Sequence, residues 1–306
     1  MNILILGGAG LIGYNLAEVY INKGYNVLVI DNLSSGWKYN YKLLKCDKII
    51  YDAREDISKY VEWSDIVVNC AELLGVEEYV NNADVYLSNN LMVVFNILAN
   101  IRRYSNKRYV MFSSSAVRRL YFNKANAINI YGLEKQIVEL VGSKLKKEGY
   151  DIIIIRPNNV VGVGQNMILR SVFPSFARAV LNKNCLPVYG DGRQKRIFVD
   201  VEVFSKCVAN IIINGSPGIY DVKGDKSIEV LELAKLFISI GGKITGYTPE
   251  IKHVIPKMWL KNKREELKIL DEFSKLVNVK LRYDLSNLIE KFLLYAKRSM
   301  NEWKLG

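Results

Sequence analysis

The sequence predicts an α/β chain built on a doubly wound parallel sheet, with a smaller C-terminal lobe beside it. Three observations predict this class. Short apolar runs alternate with helical patterns through the first half, as a parallel sheet with crossover helices requires. The first run ends in a glycine-rich turn, Gly7-Gly8-Ala9-Gly10-Leu11-Ile12-Gly13. After Pro157 the alternation gives way to turns at Gly162-Val163-Gly164 and Gly190-Asp191-Gly192, where lobe elements begin.

In chain order, apolar runs of strand length fall at 2–6, 26–30, 48–51, 65–69, 107–113 and 151–156. Helical spacing of apolar residues at 11–23, 54–62, 85–103 and 131–148 separates most of them. The run Ile219-Tyr220-Asp221-Val222 and the helix-like stretch 227–240 read as a return to the sheet. The expected division is 1–158 with 197–240 for the sheet domain, and 159–196 with 241–306 for the lobe. A chain of 306 residues, 50% hydrophobic, has enough apolar content for both.

Composition narrows the function classes. No apolar run reaches the ~20 residues of a spanning helix, and the chain opens on a core strand instead of a basic leader, so a cytoplasmic protein without membrane partners is expected. Cys46, Cys70, Cys185 and Cys207 lie far apart with no C-x-x-C, and the chain has one histidine, which argues against a disulfide framework and a metal site. The net charge of +12 is spread over presumed helix surfaces with acids between. That reads as a solvated surface that attracts small anions, with no nucleic-acid partner.

The glycine turn can seat a dinucleotide pyrophosphate. Gly7, Gly10 and Gly13 permit a tight turn and close backbone approach, and the first N–H groups of the next helix, from Leu11 and Ile12, meet the phosphates. The second strand ends in Asp31, eighteen residues after Gly13, where an acid hydrogen-bonds the adenosine ribose and repels a 2′-phosphate. NAD is therefore expected over NADP.

Tyr131 and Lys135 lie four apart on a helical pattern and share one face. Bringing a phenol from ~10 to ~7 takes about 4 kcal/mol, comparable to one cation about 4 Å away at an effective dielectric near 20. The spacing recurs only at Tyr41/Lys45, between the second and third strands. Tyr131/Lys135 instead follows Phe112-Ser113-Ser114-Ser115-Ala116-Val117, a serine-rich strand end that delivers hydroxyls to the sheet's carboxyl edge, and Ser115 is the candidate for the substrate hydroxyl.

These features together resemble the extended short-chain dehydrogenase/reductases, specifically the nucleotide-sugar epimerases and dehydratases. The matching segments are GGAGLIG, DNLSSG from Asp31, YDARED around Asp52, SSSAV, YGLEK, IRPNNVVGVGQN from Ile155 and VYGDGRQKRIFVD from Val188. The resemblance implies a Rossmann sheet with NAD as cofactor and places Asp31 and Asn32 at the adenosine ribose, with Ser34, Ser35, Gly36, Tyr131 and Lys135 also among the cofactor-binding residues. It puts Asp52 and Ala53 at the adenine, and Cys70, Ala71, Glu72, Asn90, Ser113, Pro157 and Asn158 along the cofactor. Ser115, Tyr131 and Lys135 are implied as the catalytic trio, with Asn159, Arg196 and Arg264 on the nucleotide diphosphate. A homodimer pairing the helices near 85–103 and 131–148 is implied as well.

Three departures stand out. Only fifteen residues separate Ser115 from Tyr131, Glu72 replaces a small residue beside the cofactor, and Asn158 stands where an aromatic is common. The activity implied is epimerisation at C4 of a UDP-hexose through a 4-keto sugar. Two alternatives stay open: a dehydratase or decarboxylase using the same intermediate, and a dinucleotide-binding regulatory protein without turnover. Ala116 and Val117 stand where dehydratases carry an Asp-Glu pair, and decarboxylases commonly carry a Glu at the Ala116 position, which disfavours the first.

Overall fold

The structure is a computed structural model that describes residues 1–74, 82–118, 120–122, 130–255, 265–267 and 276–304. The chain begins β1 (Asn2–Leu6), α1 (Leu11–Asn22), β2 (Asn26–Asp31), α2 (Lys38–Leu43), β3 (Asp47–Ile50), α3 (Ser58–Trp63), β4 (Ile66–Asn69), α4 (Ala83–Ile101) and β5 (Arg108–Phe112). A 3₁₀ turn at Ser115–Arg118 and β6 (Leu120–Phe122) lead to α5 (Ile130–Lys147), β7 (Ile152–Pro157) and β8 (Val160–Val161). Then come α6 (Val172–Leu181), β9 (Leu186–Tyr189), β10 (Lys195–Ile197), β11 (Val199–Asp200), α7 (Val201–Asn214), β12 (Gly218–Gly224) and β13 (Ser227–Glu229). The remaining described elements are α8 (Val230–Thr245), β14 (Ile251–Val254), β15 (Glu265–Leu267), β16 (Leu276–Leu281) and α9 (Leu285–Lys304).

Eight strands form one parallel sheet in the order β16-β12-β7-β5-β4-β1-β2-β3. Alternation along β1 sends Ile3 and Ile5 into a core with α1 and α7, while Leu4 and Leu6 face a second core with α3, α4 and α5. Burial on both faces explains why these strands read as continuous apolar runs. The strand order reverses between β1 and β4, which opens a crevice at their carboxyl ends, where open α/β sheets bind ligands. A third core, built on Phe173, Phe176, Phe237 and Phe292, joins α6, α8 and α9 into the lobe beside that crevice.

Several elements depart from the expected boundaries. The helix expected at 54–62 starts at Ser58, because Asp52 accepts the Arg54 N–H and Asp56 the Ser58 N–H, both at 2.9 Å, and hold 52–57 as turns. The stretch 227–240 splits: Ser227–Glu229 pairs antiparallel with β10, and a capping box between Glu229 and Glu232 then starts α8. That helix, expected with the sheet, buries Val230, Leu233, Ala234 and Phe237 in the lobe core. Conversely β16, expected with the lobe, covers the outer edge of β12, and Leu281 packs into the sheet core. Among the described residues no helix is long and apolar enough to cross a membrane.

Candidate active site

A cavity of about 1560 Å³ runs from the glycine turn across the crevice to the lobe. It exceeds the ~300–1,000 Å³ of an ordinary ligand pocket and has room for two bound molecules end to end. At one end Gly7 adopts φ 77°, and a Cβ there would strike the backbone of Cys70 and Ala71 at the end of β4. A Cβ on Gly13 would strike the Gly7 carbonyl. This close passage of turn, helix start and β4 leaves the groove floor as bare backbone, which fits a dinucleotide pyrophosphate over the N-terminus of α1.

Asp31 is buried beneath that turn. Its Oδ2 accepts from the Ala9 N–H and its Oδ1 from the Leu33 N–H, each at 2.8 Å. Burial pushes its carboxyl above the usual range, against the pull of those two bonds. The residue expected to read the ribose is thus also the brace of the glycine turn. Asn32 donates to Asp52 at 3.0 Å, and Arg54 grips Asp52 through Nε at 3.0 Å and Nη2 at 2.7 Å. The Arg54 hydrogen bonds hold the Asp52 carboxyl well below its ordinary range. Arg54, absent from the sequence reading, does not line the cavity but braces Asp52 from behind, as Asn96 braces Ala53 by donating to its carbonyl at 2.7 Å.

Gly10, Leu11, Ile12, Asn32, Ser34, Ser35, Gly36, Asp52, Ala53, Cys70, Ala71, Glu72, Ser113, Pro157 and Asn158 all line the cavity. Asn90 is not among its lining residues. Its amide oxygen accepts from the Leu73 N–H at 2.8 Å and its nitrogen donates to Glu134 at 3.0 Å, so it is a strut between the loop after β4 and α5. Asn40 was also missed. From α2 it donates to the Ala9 carbonyl at 3.0 Å and the Gly164 carbonyl at 2.6 Å and accepts from Tyr295 at 2.7 Å, tying the glycine turn to the lobe.

At the centre of the cavity stands Tyr131, one turn from Lys135 on α5. The Lys135 ammonium lies 5.6 Å from the Tyr131 ring centre. The hydroxyl hydrogen-bonded to the phenol is that of Ser114; Ser115 opens the 3₁₀ turn and lines the same cavity. Lys135 donates to the Phe112 carbonyl at 3.2 Å and pairs with two carboxylates, Glu72 at 2.6 Å and Glu134 at 3.2 Å.

Lys135 does pull the Tyr131 phenol downward, as expected, but in this arrangement it is outweighed. Burial raises the phenol, and the Glu72 charge adds to that, against smaller lowering effects of Lys135 and Ser114. The lysine's positive charge is already met by two acids. Burial also pushes Glu72 up to about 7, against the pull of Lys135. Burial by itself would depress Lys135, but Glu72 and Glu134 hold it above its ordinary value.

The lobe end of the cavity carries Asn159, Arg170, Lys195 and Arg196. Asn159 sits at φ 33° and donates to the Ile197 carbonyl at 2.8 Å, which fastens the loop after β7 to β10. Arg196 lies on β10, opposite Ile228 of β13. Arg170 and Lys195 extend this basic wall, and it is the fold that brings them to the cavity. Arg264 lies outside the described residues.

Comparison with known proteins agrees with this geometry. The model of the NAD dependent epimerase/dehydratase family matches residues 3–222. A UDP-N-acetyl-alpha-D-glucosaminuronate decarboxylase of Bacillus cytotoxicus is 29% identical over 215 residues, covering 65% of this chain and 67% of that protein. A UDP-glucose 4-epimerase of Bacillus subtilis is 26% identical over 285 residues, covering 81% and 84%. In fold, the chain resembles the UDP-glucose 4-epimerase of Thermotoga maritima solved with UDP-glucose, with a TM-score of 0.79 at 20% identity over 98% of this chain and 100% of the other.

Proposed function

The chain belongs to the NAD dependent epimerase/dehydratase family, and we propose that within it the protein epimerises a nucleotide sugar at C4 of a UDP-hexose. The observation that carries this reading is the content of the cavity's centre. Tyr131, Ser114 and Ser115 supply hydroxyls where the dinucleotide groove meets the basic wall, the next two residues, Ala116 and Val117, hold no proton-transfer group, and the carboxylate of this centre, Glu72, is held by Lys135. Eliminating water would call for a further acid–base pair on the sugar; turning over a 4-keto sugar does not.

In this reading the Tyr131 oxygen takes the C4 hydroxyl proton and returns it after the sugar has turned, acting as general base and then acid. Ser114 and Ser115 hold that hydroxyl in line. Bound NAD would supply the hydride acceptor and donor for C4. The α1 N-terminus and the glycine turn would hold the pyrophosphate and Asp31 the adenosine ribose, while Lys135, tied to Glu72, Glu134 and the Phe112 carbonyl, would act from behind Tyr131. Arg170, Lys195 and Arg196, with Asn159, would take the nucleotide diphosphate of the substrate, for which a planar guanidinium supplies bidentate contacts.

Val85, Met92 and Phe95 of α4 and Leu140 of α5 are exposed apolar residues on two packed helices, which supports a homodimer joined through that face. Incubation with UDP-glucose, UDP-galactose and their N-acetyl forms, read by NMR and mass, tests the activity. Conversion at constant mass supports epimerisation; loss of water or carbon dioxide points to the dehydratase or decarboxylase, and no change to a binding protein.

A further inference from the structure

Glu72 is a carboxylate at the catalytic end of the groove that the proposed proton transfer does not use. It follows β4, lines the cavity, and spans from that loop to α5 through its 2.6 Å ion pair with Lys135. Its other oxygen, Oε1, is buried with no hydrogen-bond partner among the described residues. Buried carboxylate oxygens are rarely left this way, because the unmet charge is costly.

We propose that Glu72 supplies the counter-charge for an oxidised nicotinamide and so biases the bound cofactor toward NAD over NADH. The inference rests on the functional reading above, in which the nicotinamide comes to the sugar carbon beside Tyr131. Lys135 has three N–H bonds, and Glu72, Glu134 and the Phe112 carbonyl offer three acceptors for them. With both acids ionised, one ammonium faces two carboxylates, and the cluster holds one excess negative charge. An oxidised nicotinamide ring carries one positive charge; the reduced ring carries none. A fixed anion in this buried setting therefore favours the oxidised form, where low dielectric enlarges the effect.

The bias serves an epimerase. Hydride taken from the sugar must be returned before the keto sugar escapes, and a cofactor left reduced is a dead enzyme. The same anion opposes ionisation of Tyr131 until the ring's positive charge offsets it, so base and oxidised cofactor become competent together. The charged and titratable groups that face Glu72 are Lys135, Glu134 and Tyr131 on α5 and Cys70 at the end of β4. Burial raises the Cys70 thiol, which keeps it uncharged at neutral pH.

The test is the ratio of NADH to NAD dissociation constants, from NADH fluorescence and competition with NAD. Glu72→Gln keeps the shape and removes the charge, and it should shift the ratio toward NADH by about tenfold or more. Glu72→Asp keeps the charge and should retain a preference near the wild type. In the wild-type protein, the preference for NAD should be full well above pH 7, pass its midpoint near pH 7 and be lost below it as Glu72 takes a proton. A ratio in Glu72→Gln equal to that of the wild type overturns the proposal. Where that variant does not fold, a wild-type ratio that is flat with pH overturns it instead. A wild-type protein that binds neither dinucleotide overturns both this inference and the functional reading.

Discussion

Tyr131 and Lys135 were legible in the sequence because a four-residue spacing on a helix fixes a shared face, whatever surrounds it. Their electrostatics were not legible, since Glu72 and Glu134 reach the ammonium only once β4 and α5 are packed together. Asp31 shows the same division: its place at the end of β2 follows from spacing, but its grip on Ala9 and Leu33 needs coordinates. Two outcomes follow at this scale. Tyr131→Phe should lower turnover by at least ~100-fold, the range for a positioned acid–base group, while cofactor titration shows NAD affinity retained; the control Tyr41→Phe should leave turnover intact. Asp31→Ala should weaken NAD overall through the slackened glycine turn and narrow its margin over NADP, as calorimetry of both dinucleotides would show.

At the scale of elements, the parallel strands were readable because burial on both faces leaves nearly unbroken apolar runs. Elements held by contacts remote in sequence were not. The strand β16 takes its role from the open edge of β12, and α8 changes partner because β13 pairs with β10 first. The contact of the glycine turn with β4 is an element-scale property with a sharp consequence. Gly13→Ala puts a methyl into the Gly7 carbonyl, so either the turn or the start of α1 must move. NAD affinity should fall by at least ~10-fold, while the far-ultraviolet circular dichroism of the sheet and helices persists. Undiminished affinity would show that the pyrophosphate does not lie over this turn.

For the whole molecule, one cavity joins a groove braced by Asp31, a centre of hydroxyls and a basic wall built by the lobe. The apolar face of α4 and α5 lies outside that cavity's walls at Met92, Phe95 and Leu140, and it is the face proposed to meet a second copy of the chain. Phe95→Glu with Leu140→Glu should convert a dimer to monomers in analytical ultracentrifugation, because paired copies would bury like charges together. A wild-type monomer would contradict the dimer. The central claim is that one C4 hydrogen leaves the sugar and returns to its other face within a single site. It is tested most directly with UDP-galactose carrying deuterium at C4, followed by NMR and mass spectrometry. The account predicts UDP-glucose of unchanged mass with the deuterium still at C4; washout of the label, or a product lighter by water or carbon dioxide, would contradict it.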